Sequence, residues 1–143
     1  RVLFVCTHNA ARSQLAAALW RERTGSPADS AGTDPAADVA PAARRVADRH
    51  GLRLDDRPRR LADVHGPVGL VVTVCDRARE RGGWPAAPQR HWSVPDPVGR
   101  PARAFEDAFV RIAERIDRLA AEVHPTDRPQ PDPATAAPTR RTT

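Results

Sequence analysis

Val2-Leu3-Phe4-Val5-Cys6-Thr7-His8-Asn9-Ala10-Ala11-Arg12-Ser13 is the stretch that decides the fold. It opens on an apolar run that reads as a buried strand. It closes where Ser13-Gln14-Leu15-Ala16-Ala17-Ala18-Leu19-Trp20 takes up a helical pattern. A cysteine therefore stands at the tip of a strand, and an arginine and a hydroxyl follow at the start of a helix. In such a turn the backbone N–H groups of Thr7, His8, Asn9, Ala10 and Ala11 can converge into a nest for an anion. The helix start adds unpaired donors and partial positive charge. Arg12 supplies a planar fork that matches two oxygens of phosphate or arsenate. The same field is expected to lower the pKa of Cys6 and favour its thiolate, and the Ser13 hydroxyl can donate to that sulfur. Asn9 tolerates a left-handed backbone, which suits a tight loop.

Outward from this segment, strands and helices alternate. The first strand is Val2–Cys6 and the first helix runs from about Ser13 to Arg23, with Leu15, Ala16, Leu19 and Trp20 on one stripe. Residues 28–33 read as a second strand. Pro41 opens a second helix that Gly51 stops. A helical turn is expected over 61–65, and 70–74 is the clearest strand, β-branched and apolar on both faces. A fourth strand is expected over 91–94, after a Gly82-Gly83-Trp84-Pro85 loop. Phe105, Phe109, Ile112, Ile116 and Leu119 mark the last helix by their spacing. This alternation predicts an α/β three-layer sandwich around a central four-stranded parallel sheet. The ligand then belongs at the carboxyl ends of the strands.

The motifs Val2–Leu19, Ser30-Ala31-Gly32-Thr33, Leu70–Cys75 and Pro95-Asp96-Pro97 occur in an order and spacing that resemble the low-molecular-weight protein tyrosine phosphatases and the arsenate reductases that share their fold. The resemblance runs from Val2 to about Leu119. It implies that Cys6 is the nucleophile, that Arg12 and the loop Thr7–Ala11 bind the oxyanion, that Ser13 stabilises the thiolate, and that Asp96 is the general acid. Taken alone, Asp96-Pro97 is an ordinary turn.

Two chemistries share this loop. A tyrosine phosphatase needs aromatic walls for a phenyl ring, yet Asp96-Pro97-Val98-Gly99 and Asp34-Pro35-Ala36-Ala37-Asp38 offer none. A small bare oxyanion such as arsenate suits the site better. Arg12-Ser13-Gln14 also resembles the reductase branch. Cys75 reads either as a small buried hydrophobe or, by resemblance, as the thiol that resolves the arsenylated nucleophile. The reductases of this kind carry a third cysteine further on, where this chain has Arg81-Gly82-Gly83-Trp84. An external thiol, thioredoxin, mycothiol or a similar reductant, is then required. The expected activity is arsenate reduction; the alternatives are a phosphatase acting through phosphocysteine and an anion-sensing module of a larger regulator.

Composition bounds the rest. The 143 residues carry a formal net charge of +5, and every one of the 23 basic residues is arginine. The arginines are scattered among acids, so no nucleic-acid face is expected. Two distant cysteines make no disulfide framework, and no apolar run reaches membrane-spanning length. A cytoplasmic setting follows. The five histidines have no metal-ligand spacing, and Ala17 stands where some relatives place a potassium-binding carboxylate, so no metal is expected. Residues 1–124 read as the domain and 125–143 as a disordered, proline-rich tail. Arg1 leads straight into a strand, which leaves room for a fusion partner upstream.

Overall fold

The computed structural model describes residues 1–123; the expected tail, 125–143, lies outside them. The strands are β1 (Val2–Cys6), β2 (Ala28–Gly32), β3 (Leu70–Thr73) and β4 (Gln89–His91), and the helices are α1 (Arg12–Thr24), α2 (Pro41–Arg49), α3 (Asp76–Arg81) and α4 (Ala102–Val123). The strands form one parallel sheet in the order β2-β1-β3-β4. Helices flank the sheet, as the alternation of patterns requires.

β1 is central and wholly buried, which explains its unbroken apolar run. Its neighbours align Cys6 with Gly32 of β2 and Val5 with Thr73 of β3. All carboxyl ends lie on one edge of a parallel sheet, so Cys6 and the residues just beyond Thr73 emerge together. The Val74 N–H donates to the Val5 carbonyl at 2.8 Å and carries the β1–β3 pairing to that edge.

α1 is more enclosed than one apolar stripe suggests. Every residue from Arg12 to Trp20 is buried, because the helix is wedged between the β1–β2 half of the sheet and α4. Its many alanines allow that close approach. α4 buries Phe105, Phe109, Ile112, Ile116 and Leu119, the residues expected from their spacing. Leu15, Leu19, Ile112 and Ile116 are almost fully enclosed, and trimming one to alanine costs about 2–5 kcal/mol. Pro41 opens α2, and Gly51 follows its end with a left-handed φ of 68°. Trp20 and Trp92 are core residues whose rings both lie against Phe4.

One expectation needs correction, and one element had no signal in the sequence. The fourth strand was placed at 91–94, where Trp92 and Val94 alternate with polar residues, but the ladder to β3 uses Gln89–His91. Trp92 and Val94 are buried from the loop that follows. α3 was not expected at all. Its sequence, Asp-Arg-Ala-Arg-Glu-Arg, has one buried residue, Ala78, and no apolar period.

Candidate active site

The loop between β1 and α1 is shaped by where its carbonyls go. The Cys6, Thr7, His8 and Ala10 oxygens accept from the N–H groups of Thr33, Asp34, Ala36 and Ala40 at 2.8–3.1 Å. A trans peptide points its N–H opposite to its C=O. The amides of Thr7, His8, Asn9 and Ala11 therefore turn away from the 33–40 segment. The Asn9 N–H shows where: it donates to Cys6 Sγ at 3.1 Å. Asn9 holds a φ of 51° and is the only non-glycine residue with positive φ among the described residues. With the first turn of α1 behind them, these amides have the arrangement of an anion nest.

Gly32 makes the close packing under the loop possible. A Cβ there would lie 2.6 Å from the Thr7 carbonyl oxygen and 3.1 Å from the Asn9 nitrogen. No side chain fits where the end of β2 meets the loop.

Cys6 is buried, and its Sγ lies 2.9 Å from the Ser13 hydroxyl. Asn9 Nδ2 donates to Ser13 Oγ at 2.6 Å and to Ser30 Oγ at 2.9 Å. The expected depression of the thiol pKa does not hold in this geometry. Burial pushes the Cys6 thiol up, and the Ser13 hydroxyl, the Arg12 guanidinium and the Ser13 and Asn9 amides pull the other way without prevailing. Complete desolvation of the sulfur is the reason.

Arg12 is buried, and its Nη1 donates to the Val94 carbonyl at 2.8 Å. Its Nη2 lies 3.7 Å from Asp96 Oδ2. Asp96 in turn accepts from the Val98 N–H at 3.0 Å, in a turn framed by Pro95 and Pro97. The β1 loop and the segment after β4 are thereby joined, and Arg12 and Asp96 are brought together.

Arg12, Val94, Pro95 and Asp96 line a cleft of about 430 Å³, with Thr7, His8, Cys75 and Asp76 on its other walls; Cys6 itself is not among the lining residues. Cys75 Sγ sits 3.2 Å from Thr7 Oγ1 and accepts from the Ala78 N–H at 3.4 Å, so it caps α3. The His8 ring is tied to the Asp34 carbonyl at 3.0 Å, which leaves the backbone as its contribution to the loop. Trp84 packs half-buried against the core and is not among the lining residues.

Several contributors were not singled out by role in the sequence. Gly32 and Ser30 lie in a quoted motif, but their contacts are tertiary. Gln14 is almost fully buried, and a long amide on an otherwise apolar helix was the available signal. Asp76 meets His91 Nε2 at 2.7 Å and Ser93 Oγ at 3.3 Å, while Thr73 Oγ1 meets His91 Nδ1 at 2.6 Å. His91 and Ser93 hold the Asp76 carboxyl below its usual range. Among the described residues, no group of His, Cys, Asp and Glu is arranged to hold a metal ion, and no helix is long and apolar enough to cross a membrane.

A four-stranded parallel sheet flanked by helices, with a buried cysteine at the end of its first strand, defines an α/β class of proteins. Within that class, the chain belongs to the low molecular weight phosphotyrosine protein phosphatase family, whose sequence model matches residues 1–128. Its structural relatives divide between two chemistries. An arsenate reductase from Archaeoglobus fulgidus is 32% identical, with a TM-score of 0.76 over 85% of this chain and 99% of its own. A thioredoxin-dependent arsenate reductase from Corynebacterium glutamicum is 25% identical, with a TM-score of 0.69 over 88% of this chain and 62% of its own. The YwlE arginine phosphatase from Geobacillus stearothermophilus is 27% identical, with a TM-score of 0.74 over 88% and 94%. The chain is an enzyme of this family.

Proposed function

We propose that the protein is an arsenate reductase that uses the Cys6 loop to bind arsenate and thiols to reduce it. The observation that carries this reading is the cleft itself. It is lined by Thr7 and His8 of the loop, by Arg12, Asp96 and a second thiol, Cys75, and has no Phe, Tyr or Trp among its lining residues. Such walls fit a small bare oxyanion and give a phenyl ring nothing to stack on.

In the proposed sequence, arsenate docks on the loop amides and Arg12. The proton of Cys6 passes to the bound dianion, and the sulfur attacks arsenic. An As–O bond breaks, and Asp96 protonates the oxygen that leaves as water. A second thiolate then attacks Cys6 Sγ. A sulfur–sulfur bond forms and the S–As bond breaks, with its electron pair staying on arsenic. Arsenic(V) becomes arsenic(III), and two thiols become one disulfide. Cys75 is the proposed second thiol, because it faces the same cleft from the neighbouring strand end. An external thiol, thioredoxin, mycothiol or a similar donor, returns the disulfide to the reduced state. The Corynebacterium relative, described as thioredoxin-dependent, supports that kind of partner. The catalytic unit is proposed to be residues 1–124, acting in the reducing cytoplasm without a bound metal or nucleic acid.

The test runs two assays on purified protein. One follows arsenate-dependent oxidation of thioredoxin and of small thiols; the other follows aryl phosphate hydrolysis. Arsenate-dependent thiol oxidation that exceeds aryl phosphate turnover is expected. Aryl phosphate turnover without arsenate reduction overturns the reading in favour of a phosphatase that works through phosphocysteine. Binding of oxyanions without turnover in either assay points to a sensing module instead. Cys75→Ser separates the resolving step: thioredoxin-coupled turnover is lost, and arsenate binding persists.

A further inference from the structure

A buried chain of hydrogen bonds leads from Cys6 to a segment that never touches the cleft. Its direction follows from two backbone donors. The Asp55 backbone N–H lies 3.0 Å from the Gln14 Oε1 position, and the Arg59 backbone N–H lies 2.8 Å from the Asn9 Oδ1 position. A backbone N–H only donates, so both side-chain atoms are oxygens. Gln14 Nε2 is thereby fixed toward Asn9 Oδ1, at 3.2 Å. Asn9 Nδ2 is fixed toward Ser13 Oγ and Ser30 Oγ. Ser13 Oγ already accepts from Asn9, and its one proton is left to donate to Cys6 Sγ, 2.9 Å away. Every link in this chain points the same way, toward the sulfur. Gln14 and Asn9 are 1% and 0% exposed, so bulk solvent does not reach the amides.

We propose that Gln14 is a positioning residue for the Cys6 nucleophile, which relays the fixed direction of the 55–59 backbone amides through Asn9 and Ser13 to the sulfur. The inference rests on Cys6 being the reacting sulfur, and it holds for either arsenate or a phosphoester as substrate. It gives the 55–59 segment a role at the site although its residues are absent from the cleft's lining. It also gives a reason for a polar residue inside a helix whose first turns are buried on all sides. Hydrogen bonds aligned in one sense reinforce one another in a dry interior. A glutamine here both accepts from Asp55 and donates to Asn9. Neither a carboxylate nor an apolar side chain does both.

The test measures the pH dependence of Cys6 alkylation by iodoacetamide in the full chain, on the Cys75→Ser background so that one thiol reports. The other charged groups around the site, Arg12 from α1, Asp76 and Arg77 from α3 and Asp96 from the segment after β4, stay as they are. Gln14→Glu places a carboxylate oxygen against Asn9 Oδ1 and opposes the direction of the chain. Alkylation near neutral pH is expected to slow by about tenfold, with the midpoint of the profile moved up by about one unit. Gln14→Met keeps the volume and removes the relay, with a slowing of about threefold expected. Thermal melts and circular dichroism identify the variants that fold. If Gln14→Glu does not fold, Gln14→Met decides alone. A folded Gln14→Met with the parent midpoint overturns the proposal, because a merely structural role would change the melting temperature and leave the sulfur's titration in place. Failure of the enzymatic reading looks different: alkylation of the parent would then be insensitive to added arsenate or phosphate.

Discussion

The floor of the cleft and its rim are built in opposite ways. On the floor, Arg12 lines the cleft, while Cys6, Asn9, Ser13 and Ser30 are packed outside its lining; all five are buried, and each polar side chain has a protein partner. On the rim, the Asp96 side chain is 45% exposed and reaches Arg12 only at 3.7 Å. The floor is over-determined: four carbonyls fastened outward fix the amides inward, and Gly32 leaves no slack beneath them. The rim is a turn of Pro95, Asp96 and Pro97 held by few bonds. The difference teaches a division of labour. In the proposed reaction the preorganised floor would set which anion shape binds, and the looser rim would carry the acid that follows the leaving atom as it departs.

The strongest way to break this contrast is to disturb the floor from below. Gly32→Ala forces a Cβ against the Thr7 carbonyl and the Asn9 backbone, and neither is the end of a flexible side chain. The loop must shift, so anion binding and chemistry fall together. A loss of at least about a hundredfold in kcat/KM is expected, in keeping with the cost of small misplacements at reacting atoms. Steady-state kinetics on the folded variant checks it; activity within a few-fold of the parent would show that the floor tolerates movement.

Asp96→Asn addresses the rim. The amide keeps the shape of the turn and cannot deliver a proton. A fall of about a hundredfold in kcat is expected, with protection of Cys6 from alkylation by bound oxyanion little changed. Loss of that protection would mean that Asp96 helps to build the floor, and the division would blur.

Ser13→Ala sharpens the electrostatic side. Its hydroxyl is the strongest of the influences that oppose burial at Cys6. Without it the thiol titrates still higher, the thiolate fraction near neutral pH drops, and alkylation slows by about tenfold. The whole rate–pH profile moves toward alkali, and a profile that stays in place would contradict the assignment.

The same division explains what the sequence made legible. The elements that carry the floor announce themselves locally: an apolar strand and a helix flank Cys6 and Arg12 within Val2–Trp20, and their periodicity is plain in the sequence. α4 was equally plain from its spaced Phe and Ile residues. The rim and its supports were not, because their contacts join polar residues distant in sequence. α3 has only Ala78 to bury, and β4 is an edge strand of Gln, Arg and His. Nothing in either carries a period. The titration of Cys6 was misjudged for a related reason. The helix start and Arg12 are visible in the sequence, whereas the complete burial that outweighs them is a property of the packed fold.

The smallest expected effect lies at the tie that holds α3 to the segment bearing Asp96. Asp76 links Cys75's own helix to His91 and, through Ser93, to the strand end before Pro95. Its carboxyl titrates below the usual range because His91 and Ser93 stabilise the charged form. A carboxyl with a lower pKa folded than unfolded contributes stability above its unfolded pKa, about 3.9, and loses it as pH falls through the folded value. Asp76→Asn therefore melts slightly below the parent at neutral pH, and the two curves converge as the solution is acidified past the carboxylate range. The gap is modest because the carboxylate is open to solvent, which weakens its attraction to His91. Equal melting temperatures at every pH would mean that this tie adds no stability, and that the rim is held only by Arg12.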